Sequence, residues 1–63
     1  MFTVLVKYPR EITPDLPAHA RPMGAQPKWA NQDWAIDYNF RDQADLEVIR
    51  LTALGASAKI QGD

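Results

Sequence analysis

The chain has 63 residues, no cysteine and a formal net charge of −1 at pH 7. This length predicts a single small domain, residues 1–63, that buries only ~60% of its unfolded surface. The lack of cysteine excludes a disulfide scaffold and a thiolate metal site, and the apolar runs are too short for a membrane span. The first residues, MFTVLV, lack the basic region and the length of a signal peptide. We therefore expect a cytoplasmic protein without a metal or a cofactor.

Two segments have the composition and alternation of half-buried strands. Residues 2–8, FTVLVKY, are rich in β-branched and aromatic residues and have apolar residues at every second position. Residues 34–41, WAIDYNFR, alternate throughout, so that Trp34, Ile36 and Phe40 face one side together with the tyrosine between them. Both segments are predicted to place one face on a core.

A long proline-rich segment, residues 9–33, separates these two strands. It contains all five prolines of the chain, and proline withholds a hydrogen-bond donor from a sheet. A connection of this length in so small a domain is generally functional or disordered. Its apolar residues, Ile12, Leu16, Met23 and Trp29, predict either a lid that folds back on the helix or a presented binding element.

One helix and a third strand follow. Residues 43–54 are predicted to be helical, with Asp42 as the N-cap and Asp45 three residues later. Gly55 stands where a helix ends in a left-handed residue. Residues 57–61, SAKIQ, then form a last short strand.

This order predicts an α+β fold of the ββαβ type, with a mixed three-stranded sheet and one helix on one face. Strands two and three are joined by the helix and should run parallel, in a right-handed crossover. The first strand has the most continuous apolar character, which favours a central position. The predicted sheet order is therefore 2-1-3, with the first strand antiparallel to both neighbours and the long proline-rich loop between strands one and two.

The apolar residues of the helix form two stripes on opposite sides. One stripe is Leu46, Ile49 and Ala53, and the other is Ala44, Val48 and Leu51. A helix with a single core-facing side has one stripe. The second stripe therefore predicts a contact with the loop or with a partner.

Residues that could carry catalysis are sparse. His19 is the only histidine, no G-x-S-x-G elbow is present, and the three glycines form no phosphate-binding cluster. These features argue against an enzyme. Nucleic-acid binding is the weaker alternative, because the aromatics of the second strand face the core and the chain is acidic overall.

The remaining class is a protein-binding module. Five of the eight acidic residues lie between positions 33 and 47, which would suit a target with a basic or apolar surface. The expected partner-binding residues are Asp33, Asp37, Asp45, Glu47, Val48, Leu51 and Trp29.

In size and character, a short chain without an enzyme motif resembles the small proteins of phages and mobile elements. That loose category includes many anti-CRISPR proteins and inhibitors of host polymerases and nucleases. The resemblance implies an inhibitor that occludes a larger host protein or nucleoprotein complex. The alternatives are a homodimeric accessory protein and an antitoxin-like regulatory partner.

Overall fold

The computed structural model describes residues 1–24, 26–27 and 30–62. The elements in this part of the chain are β1 (Phe2–Lys7), β2 (Arg21–Pro22), β3 (Asp33–Tyr38), α1 (Arg41–Ala53) and β4 (Ser57–Gly62). The four strands form one sheet in the order β2-β3-β1-β4, and all neighbouring pairs are antiparallel. The predicted α+β class, the helix and the central position of the first strand are thereby confirmed.

The prediction of three strands in a mixed sheet is wrong. The segment predicted to be one long loop contains β2, in which Arg21 pairs with Ala35 and Pro22 with Trp34. Proline is tolerated there because β2 is an edge strand, where the missing N–H can face away from the sheet. The sheet is antiparallel throughout rather than mixed. β3 and β4 run in the same direction, but β1 lies between them and is antiparallel to both, as the predicted order requires, so the described sheet contains no parallel pair.

The two faces of the sheet have different coverings, as the two-residue period of a strand requires. The face under α1 carries the apolar residues Phe2, Val4, Val6, Trp34, Ile36, Tyr38, Ala58 and Ile60. Val4 and Ile36 are opposite each other in the register and are both fully buried. We call the other side the second face; it carries Thr3, Leu5, Lys7, Asp33, Ala35, Asp37, Ser57, Lys59 and Gln61.

The helix begins two residues earlier than predicted. Phe40, in an extended conformation, is its N-cap and makes no side-chain capping hydrogen bond. Asp42, predicted to be the cap, lies in the first turn instead, where a negative charge complements the helix dipole. Because β3 ends at Tyr38, Phe40 leaves the strand alternation, and its side chain is 66% exposed rather than directed to the core.

The end of the helix follows the sequence prediction. Gly55 has a φ of +97°, a left-handed conformation that glycine adopts at little cost. The Gly55 N–H donates to the Thr52 carbonyl at 3.0 Å, and the Ala56 N–H donates to the Leu51 carbonyl at 3.1 Å. This pair of bonds is a Schellman motif, and it satisfies carbonyls that the helix end would otherwise leave unpaired.

Part of the proline-rich segment packs beside the helix. Ile12, Leu16 and Ala20 contact the buried cluster. The Gln32 side-chain amide donates to the carbonyls of Pro9 and Ile12 at 2.8 and 3.3 Å, which ties this segment to the start of β3. The segment therefore closes one side of the core, while the outward side of α1 stays uncovered.

The structure identifies which helical stripe is core. Ala44 and Leu51 are fully buried and Val48 packs against the same cluster, whereas Leu46 and Ile49 are 68% and 65% exposed. The helix lies across β4 and β1 through the buried stripe. Among the described residues, the one helix is too short and too polar to cross a membrane.

Two leucines of the same helix provide a matched test of this packing. Leu51→Ala should lower the free energy of unfolding by about 2–5 kcal/mol, because it leaves a cavity in the core. Leu46→Ala should change it by about 0.5 kcal/mol or less, because the side chain has little to lose on the surface. Urea denaturation followed by circular dichroism measures both. Losses of similar size in a monomer would show that the outward stripe is core as well.

Candidate partner-binding surfaces

The acidic residues predicted to form a binding stretch lie on different sides of the molecule. The side chains of Asp33 and Asp37 lie on the second face of the sheet, whereas Asp45 and Glu47 belong to the helix on the opposite side. One partner surface cannot contact both sides of a sheet at once. The structure therefore does not bring the four carboxylates together.

Asp37 is engaged by neighbours within the fold. The Thr3 hydroxyl donates to Asp37 Oδ1 at 2.7 Å, and Arg21 donates to the same oxygen at 3.0 Å. The pKa of the Asp37 carboxyl is lowered chiefly by the Thr3 hydrogen bond, which together with Arg21 outweighs partial burial. His19 Nε2 lies 3.1 Å from the Asp37 backbone oxygen. These contacts hold the segment around β2 against β3.

A shallow depression of about 480 Å³ lies on the second face beside Asp33. The residues that line it include Leu5, Lys7, Met23 and Lys59. Asp33 Oδ1 is buried and has no hydrogen-bond partner within the described ranges. Besides Asp33, the charged residues of its described lining are Lys7 and Lys59.

Glu47 has an internal role. Its side chain is only 10% exposed. The Tyr38 hydroxyl donates to Glu47 Oε2 at 2.6 Å, and the Arg50 guanidinium donates to the other carboxylate oxygen. Burial raises the pKa of the Glu47 carboxyl, but the hydrogen bonds from Arg50 and Tyr38 outweigh it and the net shift is downward. Burial and the hydrogen bond to Glu47 raise the pKa of the Tyr38 phenol well above its usual range.

The contacts of Arg50 extend this cluster to the loop. Arg50 also donates to the Asp15 carbonyl at 3.4 Å, and the Tyr8 hydroxyl donates to the same carbonyl at 3.5 Å. The cluster therefore joins α1, β3 and the segment before β2. Glu47 stabilises this junction and is not free to contact a target.

The structure corrects the choice of helical stripe. Leu51, predicted to bind a partner, lies in the core, and Val48, predicted with it, is half-buried against the same residues. The exposed stripe is the other one, and it runs along the outward side of α1. We call it the outer helical surface; it consists of Asp42, Asp45, Leu46, Ile49 and Ala53.

Asp45 is the one predicted acidic residue that lies at this surface. Its side chain is 52% exposed and pairs with Arg41 at 3.7 Å, a weak contact at such exposure. Trp29, the last predicted partner-binding residue, lies outside the described residues. Sequence reasoning did not select Leu46 and Ile49, although the two-stripe pattern identified them as one of two possibilities. Nothing in the pattern itself distinguishes the stripes, because each holds similar apolar residues.

Within the described ranges, no three acidic or histidine side chains are grouped so that they could hold a metal ion. Comparison of the chain with protein-family models, curated proteins and solved structures gives no match.

Substitution of Glu47 by Gln tests the internal cluster. At neutral pH it should cost about 1–3 kcal/mol, because two charge-assisted hydrogen bonds are weakened. Since the folded-state pKa of Glu47 lies below its ordinary value of 4.5, its contribution is present above that pH and is lost as the pH falls through the folded-state pKa. The variant should therefore lose less stability than the wild type on acidification, as measured by urea denaturation at a series of pH values.

Asp45→Asn is the matched control, because Asp45 is an exposed acid of the same helix. It should change the free energy of unfolding by about 0.5 kcal/mol or less. An unchanged acid dependence in Glu47→Gln would contradict the internal role of this carboxylate.

Proposed function

We propose that the protein is a non-enzymatic binding module that attaches to a larger protein through the outer helical surface. The observation that carries this proposal is the exposure of Leu46 and Ile49, at 68% and 65%, as neighbours on one side of α1. An amphipathic helix normally places charged residues at such positions. Apolar side chains at these positions stabilise the protein only when a partner covers them and removes them from water.

The distribution of exposed apolar side chains supports this choice. Of the six large hydrophobic side chains exposed in the described part of the chain, four lie between residues 40 and 54. Single exposed apolar residues are common on any surface, but clustered ones are typical of interaction sites. The helix and the residues directly next to its two ends therefore form the best-supported contact region.

The charges around this surface suggest the chemistry of the target. Asp42 and Asp45 flank the two apolar side chains, and Arg41 only partly neutralises them. A helix of this kind fits an apolar groove whose rim carries basic residues. The lack of cysteine fits action in the reducing cytoplasm.

Occlusion of a larger protein is a mode of action that requires no catalytic site and only a small contact surface. A module of this size can block a groove that a nucleic acid or another protein would use. In its most specific form, the proposed protein is an inhibitor of a host enzyme. This is the function that the resemblance to phage and mobile-element proteins implies. The acidic rim would compete there with nucleic acid for basic residues of the target.

Combined substitution of Leu46→Ser and Ile49→Ser tests the binding surface. The free energy of unfolding should change little, since both side chains are exposed. Capture of the target from host lysate by tagged protein should be lost, because the centre of the contact becomes polar. Quantitative mass spectrometry of the captured proteins measures the difference from the wild type.

Met23→Ser is the control, because Met23 is an exposed apolar residue that borders the second face, on the far side of the sheet. It should leave capture unchanged. A target that is retained by the double variant but lost with Met23→Ser would assign binding to the second face and contradict the proposal.

A further inference from the structure

The last strand forms a complete and uncovered edge of the sheet. β4 pairs with β1 over residues 57–62, and no described strand lies on its other side. The opposite edge is β2, which has only two residues. The outward N–H and C=O groups of β4 are therefore the longest row of unpaired backbone groups that the described sheet presents.

Natural edge strands usually carry features that prevent further pairing, such as several charges, a proline, a bulge or a very short length. β4 has few of them. Its register with β1 is continuous from Lys7–Ser57 to Phe2–Gly62, without a bulge. Its sequence, SAKIQG, contains no proline and one charged residue, Lys59. The edge is chemically able to accept another strand.

We infer that β4 pairs antiparallel with β4 of a second copy of this chain, around a two-fold axis at Ile60. A two-fold axis perpendicular to the sheet keeps each side chain on its own face of the sheet. Residues that stand opposite each other across the two copies must therefore belong to the same face. This condition allows only registers in which a residue of one copy faces the same residue of the other. The candidates are therefore centred on a single residue of β4.

Charge and length select among these registers. A centre at Lys59 would place two ammonium groups directly opposite each other, which is unfavourable. A centre at Ile60 pairs all of residues 58–62, with Ile60 against Ile60 on the face under α1. It also sets Lys59 opposite Gln61 twice on the second face, which is neutral and allows a hydrogen bond. This register uses the most residues without a like-charge pair.

The helix explains why the occupant is a second copy rather than a foreign strand. α1 packs mainly on β4 and β1, which places the helix roughly above the midpoint between these two strands. Since neighbouring strands are ~4.8 Å apart, the helix axis would then lie about 5 Å from the two-fold axis of the dimer. The two helices would then be about 10 Å apart, close to the spacing of packed helices. Glu47 and Arg50 face β3 and the loop, which turns the opposite flank, with Asp45 and Thr52, toward the neighbouring helix. A foreign strand would bring no such second contact.

The inference does not rest on the proposed function, because Leu46 and Ile49, which carry that proposal, are exposed on the side of α1 that points away from the sheet. Of the outer helical surface, only Asp45 would lie near the dimer contact. In the dimer both outer helical surfaces lie on the same side of a continuous eight-stranded sheet. Loss of dimerisation and loss of target capture are separate measurements and can fail separately.

Two opposite substitutions at one exposed position test the register. Gln61→Lys would place like charges opposite each other twice, and sedimentation equilibrium should show a dimer dissociation constant about tenfold higher than that of the wild type. Gln61→Glu would place Glu opposite Lys59 twice, and should lower the constant by several-fold. Neither change touches the core, and urea denaturation verifies that each variant folds.

Charge exchange provides the second arm of the test. Lys59→Glu combined with Gln61→Lys should restore the dissociation constant that Gln61→Lys alone impairs. Amide hydrogen exchange of the wild type should show protection of β4 that rises with protein concentration. A wild-type chain that stays monomeric to about millimolar concentration overturns the inference, as does a dimer whose constant shifts in the same direction with both Gln61 variants. A monomer whose β4 amides become protected only when the captured target is added would assign the edge to that target and equally overturn it.

Discussion

The pairing of β1 on both of its edges is the constraint on which the rest of this structure depends. β3 and β4 are consecutive along the chain apart from α1, yet each is antiparallel to β1 and neither touches the other. The chain between them must therefore pass over β1, and α1 is the segment that does so. This crossing places the helix on one face, buries Val4 and Ile36 beneath it, and leaves β4 as an edge.

A single helix cannot cover every apolar surface of so short a chain. The core takes one stripe of α1, and the segment that holds Ile12 and Leu16 closes the side of the core next to the helix. The outward stripe receives no internal cover, and Leu46 and Ile49 remain in solvent. For the same reason, the outer edge of β4 has no partner strand in the described part of the chain. Both surfaces proposed for binding thus arise because the described part of the chain has no further helix or strand to place over them.

Polar side chains serve the junctions between elements more than the surface. Glu47 joins α1 to β3 through Tyr38, and Arg50 joins the same point to the loop. Asp37 joins β3 to β1 and β2. Carboxylates bound in this way are poor candidates for target recognition, because a new partner would have to break charge-assisted hydrogen bonds. Recognition through apolar side chains with a weakly paired acidic rim is more consistent with the structure.

The sequence determined the local elements. The alternation that begins at Trp34 specified a strand and its buried face as far as Tyr38, although it continues to Phe40, which is exposed. Gly55 specified the helix end, and the continuous apolar character of residues 2–8 specified a central strand. These signals depend only on period and on backbone conformation, which neighbours in the chain control. About three of the four strands and the helix could be read in this way. The first turn of the helix could not, since Phe40 has no capping chemistry.

The tertiary structure alone decided the rest. β2 is a strand only because β3 offers it an edge, and its Arg-Pro sequence carries no strand signal of its own. The two helical stripes are equivalent in the sequence, and only the position of α1 over β1 and β4 makes Leu51 core and Leu46 surface. Likewise, Glu47 became internal because Tyr38 and Arg50 converge on it from different elements. Contacts between residues distant in the chain depend on packing geometry, which no local pattern encodes.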